Sequence, residues 1–439
     1  MAYDRRPALG LRRDVCEVAP IQSRRIITER QDVVVIGAGG AGLSASYHLK
    51  RLGVEHFVLE RGQIANTWAV ERWDSFHLVN PNWALRLHGF EYSGPDRDGY
   101  LSKDQTVRML CEYAAHFAAP VRTGVEVFQL LRTGRQTYLL TTSAGDIEAS
   151  VVIVATGAFG PPLRPRGAGQ APHSIAQLDA TTYKDPSDLP PGAVLVVGSG
   201  QSGAQVMEDL FDAGRRVFLS VSRAGRRPRR YRGRDSSWWN NAMGGFDRTV
   251  NDVPDLKVRF GASAYTSGTK GGHDIHLRAF ARDGVQLLGR FAGFDGSKAH
   301  FANDLQENLA YADEHAARWR RGVDRFVAEQ RLDAPAELEP EPPGLERYPE
   351  RPAATELDLR TAGISTIIWA TGFGYDFSWI KLPVAGERGY PVQRRGETAW
   401  PGLYFTGLHW MYSAKSAQFI GVGEDASYIA EHIYAGRRS

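Results

Sequence analysis

The sequence predicts an α/β fold made of two similar units, each a parallel sheet flanked by helices, with one unit inserted into the other. A short strand-like run of β-branched residues is followed by the spacing G-x-G-x-x-G and a helical segment, and this pattern occurs twice in 439 residues. Each copy is followed further along the chain by a strand-like run that ends in Ala-Thr-Gly. A chain of this length is also too long for one ordinary core.

The first copy begins at residues 33–36, where Val and Ile follow one another without interruption, as in parallel strands buried on both faces. Gly37 then suits a tight turn, Gly39 suits close approach of the backbone to a pyrophosphate, and Gly42 suits close packing of helix on strand. The next strand ends at Glu60, which is placed to accept a hydrogen bond from a ribose hydroxyl. This order predicts a Rossmann-like dinucleotide-binding domain that suits FAD or NAD.

The second copy has its strand at residues 194–197 and repeats the glycine spacing at Gly198, Gly200 and Gly203. The strand that follows ends without an acid, and Ser222 and Arg223 stand where the first copy has Glu60. A carboxylate there would repel a 2′-phosphate, whereas Ser and Arg side chains bind one. The second unit therefore suits NADPH. Among the arginines of residues 223–230, we expect Arg223 to bind the phosphate.

The composition excludes several other classes of protein. The net charge of +3 gives no reason to expect nucleic acid binding, and no apolar run approaches the roughly 18 residues of a membrane span. Cys16 and Cys111 are far apart, so a redox-active cysteine pair of the disulfide reductase type is absent and a reducing, cytoplasmic location is expected. His273 and His276 lack further ligands nearby, so we predict no metal site.

Breaker-rich stretches and the two repeats divide the chain into consecutive segments. We predict an N-terminal extension (1–28), the first part of an FAD-binding domain (29–165), an NADPH-binding domain (166–354) with an insertion (231–345), and the second part of the FAD-binding domain (355–439). Substrate is expected in the cleft between the two domains, beyond the carboxyl ends of their strands.

With two such units, each with its own Ala-Thr-Gly strand, the chain resembles the class B flavin monooxygenases, which include flavin-containing monooxygenases, Baeyer–Villiger enzymes and YUCCA-type enzymes. The resemblance covers nearly all of residues 32–433. It implies that NADPH reduces FAD, that O2 adds at flavin C4a, and that the resulting peroxide transfers one oxygen atom to nitrogen, sulfur or a carbonyl carbon of a small organic substrate.

The same resemblance implies the residues that hold each cofactor. For FAD these are Gly37, Gly39, Gly42, Glu60, Trp68, Thr156 and Gly157. For NADPH these are Gly198, Gly200, Gln201, Ser202, Gly203 and Arg223. Further predicted cofactor-binding positions are Arg61, Val127, Thr371 and Gly372.

Asn80 and Asp179 are the predicted catalytic positions. Asn80 falls near an asparagine that flavin-containing monooxygenases carry beside the reactive flavin face, where its amide would donate a hydrogen bond to a developing peroxide anion. An equally simple interpretation makes Asn80 a turn residue before Pro81.

The family fingerprint F-x-G-x-x-x-H, followed by three residues and an aromatic, is altered in this chain. Counting back from Tyr183, Asp179 stands at the histidine position. A shifted match of Gly169 with His173 is also possible, but it places Gln177 at the aromatic position. Because the family histidine couples NADPH binding to oxygenation, the change leaves two alternatives open: an NADPH oxidase or dehydrogenase without oxygen transfer, and a flavin-binding sensor without turnover.

Overall fold

The computed structural model describes residues 27–135, 137–336, 341, 343–349 and 353–438. The predicted N-terminal extension, residues 1–28, lies outside the described residues except for its last two positions. Those two positions already belong to the first strand, so that strand begins earlier than the predicted boundary.

The strands are β1 (Ile27–Ile36), β2 (His56–Glu60), β3 (Arg86–Leu87), β4 (Phe90–Glu91), β5 (Val121–Thr123), β6 (Val127–Gly134), β7 (Thr137–Thr142), β8 (Gly145–Val154), β9 (Ala176–Asp179), β10 (Ala193–Val197), β11 (Val217–Ser220), β12 (Arg230–Tyr231), β13 (Arg234–Asp235), β14 (Gln286–Leu288), β15 (Phe291–Asp295), β16 (Lys298–Phe301), β17 (Glu356–Asp358), β18 (Ile364–Trp369) and β19 (Leu403–Phe405). The α-helices are α1 (Gly40–Arg51), α2 (Asn66–Val70), α3 (Lys103–His116), α4 (Gln201–Asp212), α5 (Ser236–Ala242), α6 (Leu277–Arg282), α7 (Leu305–Gln330) and α8 (Val422–Gly436). The predicted α/β class is confirmed.

The first sheet has the order β5-β2-β1-β8-β7-β6, with β19 beside β8. Its central strand β1 pairs in parallel with β2 and β8. Val33 and Val35 pack with Leu43 of α1 and Ile429 of α8, whereas Val34 faces the opposite side and joins a second core. Burial on both faces explains why residues 33–36 of this strand include no polar residue.

The second sheet has the order β14-β11-β10-β18-β9 and is parallel throughout. Here the predicted division at residue 354 is wrong, because β18 pairs with β10 in this sheet. The chain returns to the first unit only after Gly372. Ile367 and Ile368 are 0% exposed, which the sequence did suggest, but an apolar run does not say which of two sheets it enters.

The predicted insertion, residues 231–345, is not a separate body. Its strand β14 pairs with β11 at the edge of the second sheet, and Leu305 and Leu309 of α7 pack in that unit's core. β15 and β16 form a small antiparallel sheet with β17. The region therefore completes the second unit instead of decorating it.

The two chain crossings between the units lie side by side. Leu163 N donates to Gly372 O at 2.9 Å, and Gly374 N donates to Pro161 O at 2.9 Å. In addition, Trp73 of the first unit is 3% exposed and packs in the core of the second. The units are thus joined by a hydrogen-bonded pair of linkers and by a shared core residue.

Candidate functional site

The first glycine turn lies at the carboxyl end of β1. Gly37 has φ +107°, and a Cβ there would lie 2.5 Å from Ala155 O; a Cβ on Gly42 would lie 1.8 Å from Gly37 O. By contrast, a Cβ on Gly39 would meet nothing within 4 Å. Two glycines therefore allow close packing of the chain, while Gly39 faces open space at the start of α1, where a pyrophosphate would fit.

Glu60 lies at the end of β2, beside this turn. It is 8% exposed, and its carboxylate accepts hydrogen bonds from Ala38 N at 2.9 Å and from Gly62 N at 3.0 Å. These bonds fix the carboxylate, and each oxygen keeps a lone pair that can accept a ribose hydroxyl. The contacts fit the predicted role.

The second glycine turn repeats the first almost atom for atom. Gly198 also has φ +107°, with its Cβ position 2.5 Å from Ala370 O, and the Cβ position of Gly203 lies 1.9 Å from Gly198 O. Gly200 faces open space, as Gly39 does. Two Ala-Thr-Gly segments thus support two glycine turns in the same manner, one at each sheet.

The two Ala-Thr-Gly segments have similar backbone conformations. Gly157 and Gly372 have φ +90° and +100°, and a Cβ on either would meet nothing within 4 Å. Thr156 is exposed. Thr371 instead donates its hydroxyl to Leu163 O in the neighbouring linker, so that hydroxyl is already used within the protein.

Among the arginines after β11, the structure distinguishes Arg223. Arg226 pairs with Asp313 and Glu341, and Arg229 pairs with Asp235. Arg223 is exposed, its guanidinium lies 4.4 Å from the Tyr311 ring centroid, and no ion pair to it occurs within the described residues. Arg230 is exposed as well, but its guanidinium donates to the carbonyl oxygens of Gly271 and Gly272. The Arg223 guanidinium is therefore open to a phosphate.

The other predicted nucleotide-binding side chains differ in the hydrogen bonds and ion pairs that they already form within the protein. The Gln201 amide donates to Thr266 O at 2.6 Å and accepts from Thr266 N at 3.2 Å, so it ties α4 to a loop of the second unit. Ser202 lies beside it at the start of α4 and is partly buried. Arg61 pairs with Glu71 at 2.7 Å on the surface.

Trp68 lies in α2, and Val127 is the first residue of β6. The Trp68 ring stacks on Phe419, with centroids 5.7 Å apart and planes at 28°. The backbone just before Val127 is tied to the end of β2 because Val125 N donates to Glu60 O at 2.9 Å.

Asn80 connects distant parts of the chain. Its Nδ2 donates to Gln418 Oε1 at 2.9 Å, and the residue before it accepts a hydrogen bond from Arg229 Nη1 at 2.8 Å. Arg229 is 2% exposed and also donates to Asp235 at 2.8 Å. The Asn80 amide keeps a second N–H that is not used in this contact.

Asp179 ends β9 and lies in register with Trp369. Arg164 Nε and Nη2 donate to its two carboxylate oxygens at 2.9 and 2.8 Å, and this pairing raises the pKa of Arg164. In the part of the chain that the structure describes, Asp179 contacts neither Asn80 nor Arg229. The structure thus brings Asn80 and Arg229 together and leaves Asp179 in a separate ion pair.

A group that the sequence did not single out lies at the junction of the units. We call it the Arg72 cluster: Arg72, Trp68, Phe76, Phe159 and His409. The Arg72 guanidinium lies 5.4, 5.9 and 5.1 Å from the Trp68, Phe76 and Phe159 centroids, and the His409 ring lies 5.5 Å from that of Phe159. Burial lowers the pKa of both Arg72 and His409. The aromatic richness of residues 68–92 was the only signal for it.

No group of three or more potential metal ligands occurs within the described ranges. His273 pairs instead with buried Glu208, a contact that raises the pKa of the histidine. Among the same residues, the structure contains no helix with the length and apolar character needed to cross a membrane.

These features define a two-domain flavin-dependent oxidoreductase. The "Pyridine nucleotide-disulphide oxidoreductase" family matches residues 34–244. The chain nevertheless lacks the redox-active cysteine pair that a disulfide reductase needs, because Cys16 and Cys111 are far apart in the sequence. An "Uncharacterized oxidoreductase CzcO-like" of Geobacillus kaustophilus is 30% identical over 92% of this chain and 98% of its own length. The indole-3-pyruvate monooxygenase YUCCA6 of Arabidopsis thaliana is 30% identical over 43% of this chain and 47% of its own. The chain belongs to the family of CzcO-like oxidoreductases.

Solved structures agree on the fold. A flavin-containing monooxygenase from Stenotrophomonas maltophilia superposes with a TM-score of 0.62 at 22% identity, covering 93% of this chain and 99% of that one. A bacillithiol disulfide reductase from Staphylococcus aureus gives a TM-score of 0.59 at 13% identity, with coverage of 93% and 99%. The predicted fold with two dinucleotide-binding domains is confirmed by these structures, and the relatives confirm an oxidoreductase.

Proposed function

We propose that this protein is an FAD-dependent, NADPH-consuming monooxygenase that inserts one oxygen atom from O2 into a small organic substrate at nitrogen, sulfur or a carbonyl carbon. The observation that carries the proposal is the pair of equivalent glycine turns, of which one has Glu60 beside it and the other has the exposed Arg223. A carboxylate suits a free ribose, and an arginine suits a 2′-phosphate.

Each of these residues has its own role in binding a cofactor or in the reaction. Gly39 and Gly200 would let each pyrophosphate approach a helix N-terminus, while Glu60 orients the ribose of FAD and Arg223 selects NADPH over NADH. Bound FAD would supply two-electron transfer and activation of O2. The free N–H of Asn80 would stabilise negative charge that develops during oxygen transfer.

The second candidate is an NADPH oxidase or dehydrogenase without productive oxygen transfer. It is favoured by Asp179, which stands at the fingerprint histidine position and is held by Arg164 at 2.8 Å. A carboxylate in an ion pair is not equivalent to an imidazole that can donate a hydrogen bond to the nucleotide.

One experiment tests the proposal and separates the candidates. Purified protein is supplied with FAD, then with NADPH in air, and bleaching of the flavin band, NADPH consumed and hydrogen peroxide released are measured with methyl phenyl sulfide present. We expect bleaching, with sulfoxide formed in place of peroxide. Peroxide equal to the NADPH consumed across a panel of sulfides, amines and ketones favours the oxidase, and an absence of bleaching contradicts both.

A further inference from the structure

Arg72 is a buried cation that forms no close ion pair within the described residues. It is 8% exposed, and in the same part of the chain its guanidinium makes one hydrogen bond, from Nη1 to Glu71 O at 3.0 Å. The Glu71 carboxylate is turned away and pairs with Arg61 at 2.7 Å. No carboxylate forms an ion pair with Arg72 among the residues that the structure describes.

A second cation lies next to it. Lys184 of the second unit donates to Val70 O at 2.6 Å, to Thr181 O at 2.9 Å and to Arg72 O at 3.4 Å. These acceptors are all neutral carbonyls, and burial lowers the pKa of Lys184. The Glu71 carboxylate acts on both cations and Asp74 acts on Lys184, but burial outweighs these charges and lowers the pKa of both cations. A bound anion would offset that cost in free energy.

The surroundings of Arg72 favour an aromatic or apolar ligand body. Three rings lie within 6 Å of its guanidinium, and Phe159 is 41% exposed even though it lies beside this buried charge. In the described part of the chain, none of the Arg72 nitrogens is among the fully enclosed nitrogens that lack an acceptor. Its remaining N–H groups therefore reach open space beside an exposed ring.

His409 adds a second polar group in contact with Phe159. Its ring packs edge-on against Phe159 at 84°, and no hydrogen bond of its side chain occurs within the described ranges. Because burial lowers the pKa of His409, the imidazole is neutral at pH 7 and can donate one hydrogen bond. Two polar side chains with unused hydrogen-bond donors within the described residues thus contact one ring.

We propose that the Arg72 cluster binds the carboxylate of an aromatic or apolar organic acid, which would be the substrate of the enzyme. The planar guanidinium fork matches a carboxylate, and the rings match the apolar remainder of such a molecule. The assignment of this ligand as substrate rests on the proposed function. The binding of the carboxylate does not, and it can be measured without turnover.

The test uses two pairs of probes, each an acid and a neutral partner: (phenylthio)acetate with methyl phenyl sulfide, which lacks the carboxylate, and phenylacetate with phenylacetone, in which a methyl ketone replaces it. Binding to FAD-loaded protein is followed by quenching of tryptophan fluorescence, in the absence of NADPH. We expect the acids to bind more tightly than their neutral partners. Arg72→Met should weaken the acids at least about 10-fold and leave the neutral probes unchanged. Arg72→Lys, which keeps the charge but not the fork, should fall between.

Arg108→Met is the matched control, because it removes the same charge from the exposed face of α3 and should change nothing. Equal loss for acid and neutral probes, or no preference of the natural protein for the acids, overturns the proposal. So does a loss of FAD content or a higher KM for NADPH with acid binding intact, since the anion would then belong to a cofactor. Selective loss of acid binding in a protein that neither bleaches nor oxidises sulfides keeps the site and removes the monooxygenase.

Discussion

Arg229 of the second unit donates a hydrogen bond from Nη1 to Val79 O of the first unit at 2.8 Å, directly before Asn80. The same guanidinium pairs with Asp235 at 2.8 Å, and Asp235 accepts a hydrogen bond from Tyr100 of the first unit. Arg229, a residue of the second unit, therefore helps to fix the position of Asn80 in the first unit.

Removing Arg229 should destabilise the protein strongly. Arg229→Met leaves Asp235, whose side chain is 8% exposed, as an uncompensated buried charge, which costs about 3–5 kcal/mol of unfolding free energy. Urea unfolding measures the change. The double variant Arg229→Met with Asp235→Asn should recover part of the loss. A single variant as stable as the natural protein would show that the pair carries no structural weight.

The two open glycines should separate cofactor binding from folding. Gly39 and Gly200 have φ −86° and −70°, which alanine adopts without strain, and an added Cβ meets no protein atom. Gly39→Ala should therefore keep the melting temperature of the apoprotein but lower bound FAD at least about 10-fold. Gly200→Ala should raise the KM for NADPH instead.

Gly42→Ala is the contrasting variant, because its Cβ would lie 1.8 Å from Gly37 O. Its free energy of unfolding should be lower by about 1–3 kcal/mol, as measured by urea denaturation of the apoprotein. If Gly39→Ala were equally unstable, the open space beside Gly39 would not be a nucleotide cradle.

Arg223 should decide between the two nicotinamide cofactors. Arg223→Met removes the guanidinium stacked on Tyr311, so the KM for NADPH should rise roughly 10- to 100-fold while that for NADH changes little. Steady-state kinetics with each cofactor measure this. Arg321→Met, at an exposed position of the same helix as Tyr311, should leave both values alone. Parallel changes for NADPH and NADH would contradict the assignment.

Asn80 should affect the fate of oxygen and not the reduction of flavin. Asn80→Leu removes the amide N–H, and the loss of one such donor lowers oxygen transfer by roughly 100-fold. Anaerobic bleaching by NADPH should be unchanged, while peroxide released per NADPH rises. Gln418→Ala, which removes only the partner of Asn80, should have a smaller effect. A slower anaerobic reduction in Asn80→Leu would give Asn80 a different role.

The stability of the protein should fall in mild acid because of His48. Burial, then the neighbouring charges of His88 and Arg51, lowers the pKa of His48 from 6.5 to about 4. The unfolded chain therefore binds a proton below pH 6.5 that the folded protein refuses until about pH 4. Over that window the free energy of unfolding should drop by roughly 3 kcal/mol. His48→Gln should have a flatter pH profile in urea denaturation, and identical profiles would contradict the buried position.

Local patterns predicted the parts of this molecule that depend on neighbouring residues. The glycine turns and the acid at Glu60 follow from spacing, because steric contact between Gly37 and Gly42 is a local matter. Other contacts join residues that are far apart in the chain, such as the pairing of β18 with β10 and the contact of Arg229 with Val79. No periodic pattern in the sequence predicts such contacts. Arg72 was missed for the same reason: its rings come from α2, from the turn after it and from the segment that follows β8. That no ion pair to it occurs within the described residues is visible only in three dimensions.

The hydrogen bonds between the two linkers, at Pro161 and Gly374, limit the motion of the two units that could accompany release of the oxidised coenzyme. A large swing of one unit about the other would have to break this two-stranded ribbon and pull Trp73 from the core in which it is buried. We expect the scaffold to stay rigid and the nicotinamide ring to slide in and out beside it, so small-angle scattering curves with and without NADPH should superimpose.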